Sequence, residues 1–405
     1  MVETTLRPLK VIIAGGGVAG LTLGLRLRRH GLDAEVFERT DSFGLVGSGI
    51  VLSPNGVKAL DHVNPALGAK VRETGRPNTP QSTALMLTWQ GRRLASQPFG
   101  DLESNWGAPL LAIMRADLHR LLAEAVADPS AGGLDTGGLG RLTVHHGAAV
   151  TGVTQDASSV TVELAGGRTV TGDVLAGADG VRSVVRAAVA DTGPPRYTGY
   201  TSVRGSAPTP SVLADGFISG GKGAQFFCAA VSDQRLYWVC TLKAPEGVWP
   251  AKSPQAARAD LRRRLASWHE PIPSMIDSCD PDDFLVTDIH DRPSLASWSS
   301  GRVLLLGDAA HPMSPMLGQG ANMAIEDAAC LADQLARSAS MPEAVRGYER
   351  IRVKRANKYA RMSAMLGKVG HLSNPLGVAF RDTMIRISMR ADPAKANADL
   401  YAYQP

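Results

Sequence analysis

The chain has 405 residues and a mass of 42.7 kDa, a length that favours two domains over one. Hydrophobic residues make up 44% of it and charged residues 20%, a composition that excludes disordered and fibrous proteins. The formal net charge is only +5, and no dense basic patch lies upstream of the C-terminal region. This charge pattern argues against a nucleic-acid-binding protein, despite a pI of about 9.1.

The cysteine and histidine spacings indicate neither disulfides nor a metal site. Cys228, Cys240, Cys279 and Cys330 include no CxxC pair, which suits a reducing compartment, and the nine histidines include no HExxH motif. No basic stretch followed by an apolar core opens the chain, and the longest uncharged run, residues 11–25, is shorter than a membrane-spanning helix. We therefore expect a cytoplasmic protein, monomeric or homodimeric, without stable membrane insertion.

The first forty residues carry a dinucleotide-binding pattern. A β-branched run at 9–14 predicts a buried strand, and Gly15, Gly17 and Gly20 follow in G-x-G-x-x-G spacing before an apolar helix. A second predicted strand ends at Glu38. The glycines permit a tight turn, close approach of a pyrophosphate and close helix packing. The helix N-terminus attracts phosphate, and Glu38 is placed to accept hydrogen bonds from ribose hydroxyls.

Two later motifs extend this pattern. Asp179-Gly180 closes a predicted strand and begins a D-G-x-x-S-x-x-R motif that ends at Arg186. Farther along, G-D-A-A-H-P at 307–312 follows another strand, and G-Q-G-A-N at 318–322 opens a helix. An acid at a strand end, followed by free N–H groups, suits a long ligand with hydroxyls and a polar ring. His311 precedes a proline in a tight loop, so we do not expect it to be catalytic.

In this order the three motifs resemble the single-component FAD-dependent aromatic hydroxylases, which are the class A flavoprotein monooxygenases of the p-hydroxybenzoate hydroxylase type. The resemblance covers roughly residues 9–360 and is greatest to the salicylate hydroxylase, urate hydroxylase and zeaxanthin epoxidase branch. It implies an α/β fold in which a Rossmann-like FAD-binding domain carries an inserted, mostly antiparallel substrate-binding sheet and C-terminal helices. The implied boundaries are 1–72, 99–190 and 288–370 for the FAD-binding domain, 73–98 and 191–287 for the substrate-binding domain, and 371–405 for a C-terminal helical extension.

The resemblance also implies roles for single residues around FAD. Glu38 would hold the adenosine ribose, with Arg39 beside the adenine and Val150 near it. Arg115 would contact the ribityl and phosphate region, and Asp308 would bind the ribityl chain. The other residues implied to contact the cofactor are Gly15, Gly17, Val18, Ala19, Gly20, Gly49, Val51, Asp179, Pro315, Gly318, Gln319, Gly320, Ala321 and Asn322.

A series of short predicted strands after residue 198 is expected to face the flavin and to carry the substrate pocket. Strand alternation places Gln225 and Phe227 on one face of their strand, and Tyr237 and Val239 on one face of another strand. It leaves open whether these faces meet substrate or pack in a core. Arg204 suits a carboxylate or phenolate, although an arginine at a strand end can also be plain surface. The candidates are Arg204 and Tyr237 for substrate positioning, and Gln225, Phe227 and Met316 for substrate contact.

The activity implied by the resemblance is a monooxygenase. NADPH or NADH would bind transiently, helped by Asp179-Gly180, and reduce FAD; O2 would then form a flavin C4a-hydroperoxide. One oxygen atom would enter an electron-rich aromatic or related small molecule, since Met316 and its neighbours offer no general base. Epoxidation of an alkene, prenyl or indole-type natural product is the main alternative. A flavin oxidase and a non-catalytic escort protein stay open, whereas the absence of a W-x-W pair argues against a halogenase.

The C-terminal region carries two further patterns. Basic residues crowd residues 350–361, which fits a solvated helix face or, alternatively, contact with a membrane surface. Apolar residues between 380 and 389 predict a last amphipathic helix, which we interpret as a docking element rather than an anchor.

Overall fold

The computed structural model describes residues 9–41, 48–128, 138–190, 193–209, 216–388 and 397–405 and shows a mixed α/β protein. Its strands are Lys10–Ala14 (β1), Asp33–Phe37 (β2), Gly49–Leu52 (β3), Arg76–Pro77 (β4), Thr83–Thr88 (β5), Arg93–Pro98 (β6), Leu111–Met114 (β7), Leu142–His145 (β8), Val150–Gln155 (β9), Val160–Leu164 (β10), Thr169–Gly172 (β11), Val174–Gly177 (β12), Arg196–Pro208 (β13), Phe217–Gly221 (β14), Ala224–Ala230 (β15), Arg235–Lys243 (β16), Leu285–Asp291 (β17), Ser299–Ser300 (β18) and Val303–Leu305 (β19). Its helices are Val18–Arg29 (α1), Pro54–Val63 (α2), Pro65–Thr74 (α3), Leu102–Trp106 (α4), Arg115–Ala127 (α5), Val185–Val189 (α6), Pro254–Arg264 (α7), Ile272–Ser278 (α8), Gly320–Arg337 (α9), Met341–Gly370 (α10), Pro375–Ser388 (α11) and Ala398–Tyr401 (α12).

The first strand lies in the middle of a largely parallel sheet. In the described chain its order is β18-β19-β12-β1-β2-β8, and every neighbouring pair is parallel except β18 with β19. Val11, Ile12 and Ile13 are fully buried, because both faces of this sheet are covered. The strand is therefore continuously hydrophobic and does not alternate between apolar and polar residues. Residues of α1 and α9 share one apolar core with β1. The carboxyl ends of β1 and β12 therefore meet at one edge, beside the starts of these helices.

A second, larger sheet is built almost wholly from antiparallel pairs. Its order among the described strands is β17-β13-β16-β15-β14-β5-β6, with β14 and β5 as the parallel pair. One face packs on α7 and α8 around the buried Phe226 and Trp238. Burial alternates along β15, so that Gln225 and Phe227 are half-buried on the opposite face. That opposite face is the one turned toward the rest of the molecule.

The two large sheets meet through a smaller one in which β7 lies between β3 and β4. Tyr237 of β16 joins Ala112 and Met114 of β7 in a small buried cluster. A side chain on Gly49 would have its Cβ only 2.0 Å from the Tyr237 ring, so glycine is required for this approach. A further antiparallel sheet of β11, β10 and β9 lies outside this junction.

The long helix α10 connects the two halves of the molecule. Near its start, the buried Tyr348 donates a hydrogen bond to the carbonyl of Leu305 in β19 at 2.9 Å. At its end, Gly370 contacts the side chain of Gln225 in β15. Across the described ranges, no helix combines the length and the hydrophobicity needed to cross a bilayer.

A cluster of charges without solvent exposure holds α9 against α10. Arg352 donates from Nε to Asp327 Oδ1 at 2.7 Å and also pairs with Glu326. The other Asp327 oxygen accepts from the backbone N–H of Gly307 at 2.9 Å and is hydrogen-bonded to His311 Nε2. Burial alone would raise the pKa of Asp327, but the charges of His311 and Arg352 bring it down to about 2. The carboxylate therefore stays ionised and ties the 307–312 turn to both helices.

Replacing Arg352 by methionine should lower the free energy of unfolding by about 3–5 kcal/mol, because the buried Asp327 and Glu326 lose their shared cation and keep only His311 and Arg355 as partners. Denaturant unfolding followed by circular dichroism measures this effect. Arg350→Met on the exposed side of the same helix is the control and should change stability by less than about 0.5 kcal/mol. Equal stabilities for the two variants would contradict the assigned role of Arg352.

Candidate active site

The loop between β1 and α1 is tight on its protein side and open on the other. Gly15 has φ +103°, and a Cβ there would lie 2.5 Å from the carbonyl oxygen of Ala178. A Cβ on Gly20 would lie 1.9 Å from the Gly15 carbonyl oxygen, so neither position accepts a side chain. Gly17 has no atom within 4 Å of its would-be Cβ. A phosphate-bearing ligand can therefore approach the backbone at Gly17.

Two side chains clamp this loop at Gly16. Glu38, directly after β2, accepts from the Gly16 backbone N–H at 2.7 Å and from Thr40 at 3.0 Å. Burial would raise the pKa of Glu38, but the hydrogen bonds from Thr40 and Gly16 lower it, so the group is a carboxylate. His119 of α5 binds the Gly16 carbonyl through Nε2 at 2.8 Å. Nothing in the local pattern around His119 marked it, because its role depends on where α5 packs.

The beginnings of α1 and α9 lie on either side of the turn that contains Asp308. A Cβ on Gly307 would be 3.2 Å from the Cβ of Ala19 and 3.3 Å from that of Ala324. Neither helix has a side-chain cap at its N-terminus. Their first N–H groups and positive dipole ends remain available to an anionic or polar ligand.

Asp308 and Arg115 connect this region to the large antiparallel sheet. Asp308 faces open space, yet the protein around it removes enough water to raise its pKa, against the charges of His311 and Arg115. Arg115 is exposed at the first residue of α5, and its backbone N–H donates to the Ser48 carbonyl at 3.0 Å. Its charge also lowers the pKa of Arg204 in β13. Arg115 thus lies within electrostatic range of both Asp308 and Arg204.

The side chains of the D-G-x-x-S-x-x-R motif form hydrogen bonds with other parts of the chain. Asp179 accepts from the Ser183 hydroxyl at 2.5 Å and from the Val184 backbone N–H at 2.7 Å, so its carboxylate organises the start of α6. Arg186 is completely buried and donates to the carbonyls of Ala309 and Ala310, both at 2.8 Å. The motif therefore supports the turn that presents Asp308.

Two side chains of the second glycine set, residues 318–322, also form hydrogen bonds with other parts of the chain. Asn322 accepts from the Ser53 backbone N–H at 2.9 Å and donates to the Val51 carbonyl at 3.0 Å. Gln319 donates to the Ser53 hydroxyl at 2.9 Å. These bonds pin β3 to the start of α9, which leaves the backbone of the glycine set, rather than these side chains, to face a ligand.

The remaining candidates near this region are placed as follows. Val18 and Ala19 are buried in the first turn of α1, and Gly320 and Ala321 lie half-buried at the start of α9. Pro315 and Met316 lie in a 3-10 turn that ends at Gly318, whose φ is +62°. Arg39 is exposed beside Glu38, and Val150 is half-buried at the start of β9.

Arg204 is the cationic candidate on the face of the large sheet that lies opposite α7 and α8. Its Nη2 donates to Thr287 Oγ1 of β17, whereas its buried Nε has no hydrogen-bond partner in the described chain. Burial, and then the charge of Arg115, lower the pKa of Arg204 to about 10, so it stays charged at neutral pH. Beside it across the ladder lies Val239. An unused donor in an apolar setting suits an acidic oxygen on a ligand.

Tyr237 and Phe227 form the aromatic part of the same face, with ring centroids 5.5 Å apart in an edge-to-face arrangement. Tyr237 is 3% exposed, and burial raises its pKa far above the ordinary value. It cannot serve as a base. Gln225 lies farther along the face, against Gly370.

Sequence reasoning missed a hydrogen-bonded group that holds the Pro315 turn. Tyr200 of β13 donates to the Ser314 hydroxyl at 2.7 Å and stacks on His371 with centroids 4.3 Å apart. His371 Nε2 is 3.0 Å from the Thr241 hydroxyl of β16, and Ser363 of α10 donates to the Ser314 carbonyl. The members come from four distant segments, so no spacing could reveal them.

Comparison with known proteins is consistent with this geometry. The family model described as an FAD binding domain matches residues 8–363. The chain belongs to this family of FAD-dependent monooxygenases. It is 36% identical over 381 residues to an aurachin C monooxygenase/isomerase of Stigmatella aurantiaca, covering 94% of each chain. It is 35% identical over 391 residues to a 3-amino-4-hydroxybenzoate 2-monooxygenase of Streptomyces cremeus, covering 94% of this chain and 92% of the relative.

Among solved structures, Klebsiella pneumoniae HpxO in complex with FAD and uric acid is similar, with a TM-score of 0.85 and 26% identity over 98% of this chain and 97% of that one. FAD is the cofactor of the family. The open side of Gly17, the uncapped helix starts and the outward-facing Asp308 fit a long ligand with a pyrophosphate and hydroxyls.

Gly15→Ala should abolish retention of FAD, because the new Cβ would collide with the Ala178 carbonyl and force the loop out of its conformation. The flavin-to-protein absorbance ratio after purification measures retention. Gly166→Ala is the matched control, since Gly166 also has positive φ (+89°) but no atom within 4 Å. It should cost about 1 kcal/mol of stability and leave FAD bound. Full flavin content in Gly15→Ala would refute the role of this loop.

Proposed function

We propose that the chain is an NAD(P)H-consuming, FAD-dependent monooxygenase that inserts one oxygen atom of O2 into an electron-rich aromatic or related small molecule. The observation that supports this most directly is the position of Arg204, with a free donor, on a face lined by Tyr237, Phe227 and Val239. Arg115 links this face electrostatically to Asp308 at the cofactor region. A polar anchor in an apolar setting can hold a flat ring beside a flavin.

The proposed division of the chain follows the two sheets. The FAD-binding domain would comprise 1–72, 99–190 and 288–370, and the substrate-binding domain 73–98 and 191–287. Within the first, we assign Glu38 to the adenosine ribose, Arg115 to the phosphate and ribityl region and Asp308 to the ribityl hydroxyls. The backbone of 318–322 would line the ring edge, where the α9 dipole favours negative charge on reduced flavin.

When bound at Glu38, Arg115 and Asp308, FAD would supply the redox chemistry, which is transfer of electrons from NAD(P)H and activation of O2. The chain's residues orient the substrate and exclude water. Arg204 would bind an acidic oxygen of the ring, and its charge would favour the phenolate or enolate form, which is more electron-rich. Tyr237, Phe227 and Val239 would form the apolar walls. Tyr200 and Ser314 would hold the Pro315 turn over the reacting centre.

The substrates named for the relatives, aurachin C, 3-amino-4-hydroxybenzoate and uric acid, differ widely. They support oxygenation as the reaction class without naming this chain's substrate. Epoxidation is the second candidate, because burial raises the pKa of Tyr237, the phenol on this face, and so prevents it from acting as a base at neutral pH. Attack on an alkene requires no proton removal from the substrate.

The deciding experiment follows NAD(P)H consumption by flavin-loaded protein under 18O2, with and without phenols, indoles, quinolones and polyenes. A monooxygenase incorporates one 18O atom into the product, and the product's structure separates a phenol from an epoxide or its diol. Consumption that yields only hydrogen peroxide with every compound would mean either a flavin oxidase or a substrate outside this panel.

Arg204→Met should lower kcat/KM for a ring substrate with an acidic oxygen by about 10- to 100-fold, because a charge-assisted hydrogen bond is lost. FAD retention should not change. Arg196→Met is the matched control on the same strand, since Arg196 is exposed and pairs with Asp291. A kcat/KM unaffected in Arg204→Met would rule out this anchoring role.

Tyr200→Phe should uncouple NAD(P)H consumption from oxygenation, because the Ser314 hydroxyl loses its donor and the Pro315 turn loosens. The fraction of NAD(P)H released as hydrogen peroxide should rise several-fold while FAD stays bound. Tyr197→Phe is the control, since that hydroxyl donates to the Ala244 carbonyl at 2.7 Å. Equal coupling in both variants would show that the bond to Ser314 is dispensable.

A further inference from the structure

Helix α11 directs its apolar stripe away from the protein. Leu376, Phe380, Met384 and Ile387 recur at helical spacing and are 84%, 64%, 42% and 55% exposed. An isolated exposed hydrophobic residue is ordinary, but a row of four on one helix face is not. The last turns of α10 add Met365, Leu366 and Val369, which are 57%, 37% and 37% exposed.

The outward direction of this stripe is set by a buried arginine on the opposite side of α11. Arg381 is 3% exposed and donates to the carbonyls of Gly220 and Gly370 at 3.1 and 3.3 Å. Its charge is balanced by Asp382 at 2.6 Å. Because Arg381 anchors the inward side of the helix, which also carries the half-buried Val378 and Ile385, to β14 and the end of α10, rotation of the stripe into the core would break these bonds.

The charges on the two helices are almost all positive. Residues 351–388 contain one acidic residue, Asp382, and it is already paired with Arg381. Lys354, Arg361, Lys368 and Arg386 are exposed and form no ion pair within the described ranges. Lys243 of β16 reaches toward the turn between the helices, where Gly223 lies near both its side chain and Ser373. Within residues 351–388 the apolar stripe is therefore accompanied by exposed basic side chains that have no acidic side chain of the same segment to balance them.

We propose that α11 and the last turns of α10 form a docking surface for an anionic lipid bilayer, on which α11 lies with its apolar stripe among the acyl chains. A second copy of this chain would bring the same uncompensated positive charges together, which opposes association through this face. An anionic bilayer suits both the apolar stripe and the basic residues, because apolar side chains enter the interface while nearby Lys and Arg are attracted to the anionic headgroups. The match to the family model ends at residue 363, before α11 begins.

This docking would orient the molecule so that the face of the large antiparallel sheet that carries Arg204 and Gln225 lies near the membrane. Gly370 contacts Gln225, and His371 is hydrogen-bonded to Thr241, both on the large sheet. The docking surface contains no residue that is assigned to oxygenation, so the docking proposal does not depend on the proposed activity. Docking would bring the face of the large sheet that carries Gln225 and Thr241 close to an apolar compound dissolved in the bilayer.

The test is co-sedimentation of the full-length, FAD-loaded protein with vesicles of phosphatidylcholine and phosphatidylglycerol, and with vesicles of phosphatidylcholine alone. We expect binding to the anionic vesicles, weakened by added salt, and at least about tenfold weaker binding to the neutral ones. The double variant Leu376→Ser/Phe380→Ser should bind at least about tenfold less, because two exposed apolar side chains no longer enter the bilayer. Neither side chain is in the core, so FAD content should be unchanged.

Matched variants separate this surface from general stickiness. Val248→Ser removes an exposed apolar side chain elsewhere (44% exposed) and should bind like wild type. Lys368→Gln/Arg386→Gln should weaken binding several-fold, whereas Arg168→Gln, an exposed charge on the β10–β11 turn, should not.

Two results would overturn the proposal. The first is no binding of the folded protein to anionic vesicles, or equal binding by the Leu376→Ser/Phe380→Ser variant. The second is a dimer in sedimentation velocity that dissociates in that variant, since this would assign the surface to a second copy of the chain.

Discussion

The ionised carboxylate of Asp327 is the constraint on which the cofactor side of the molecule depends. A buried carboxylate is costly unless every oxygen is matched by a donor. Here the donors come from Arg352 on α10, from His311 and from the backbone of Gly307. Since these partners belong to separate segments, satisfying one charge places the 307–312 turn, α9 and α10 relative to each other. Asp308 faces outward because its neighbours on both sides are held inward.

Helix α10 also connects the cofactor region to the large antiparallel sheet. With 30 residues, α10 is about 45 Å long and acts as a strut between the parallel sheet and the large antiparallel sheet. Its far end contacts Gln225 and supplies Ser363 to the Ser314 carbonyl. The approach of Tyr237 to Gly49 closes the junction from the other side. The spacing between the FAD motifs and Arg204 is therefore set by the packing of α10 and by the contact between β16 and Gly49.

Local pattern predicted the elements whose chemistry is local. The runs at 9–14 and 173–178 are strands, the glycines at 15 and 20 occupy positions that exclude a side chain, and Glu38 reaches the glycine loop. Membership of the FAD-dependent monooxygenase family follows from the same motifs. Side-chain roles were harder to predict. The carboxylate of Asp179 and the amide of Asn322 make protein contacts that the motif spacing does not reveal. Strands β14 and β17 are defined by their pairing with β5 and β13, which are distant in sequence, and no local pattern specifies that pairing.

By itself, the sequence determined the cofactor class, the order of the FAD motifs and the presence of a second, strand-rich part. These depend on glycine dihedrals, helix ends and apolar periodicity, each of which acts over a few residues. Only the tertiary structure decided that Arg204 keeps a free donor, that Tyr200, Ser314 and His371 form one group, and that the apolar stripe of α11 faces outward. Each of these depends on which distant segments pack together, and alternation or amphipathicity specifies that a face exists without specifying what lies against it.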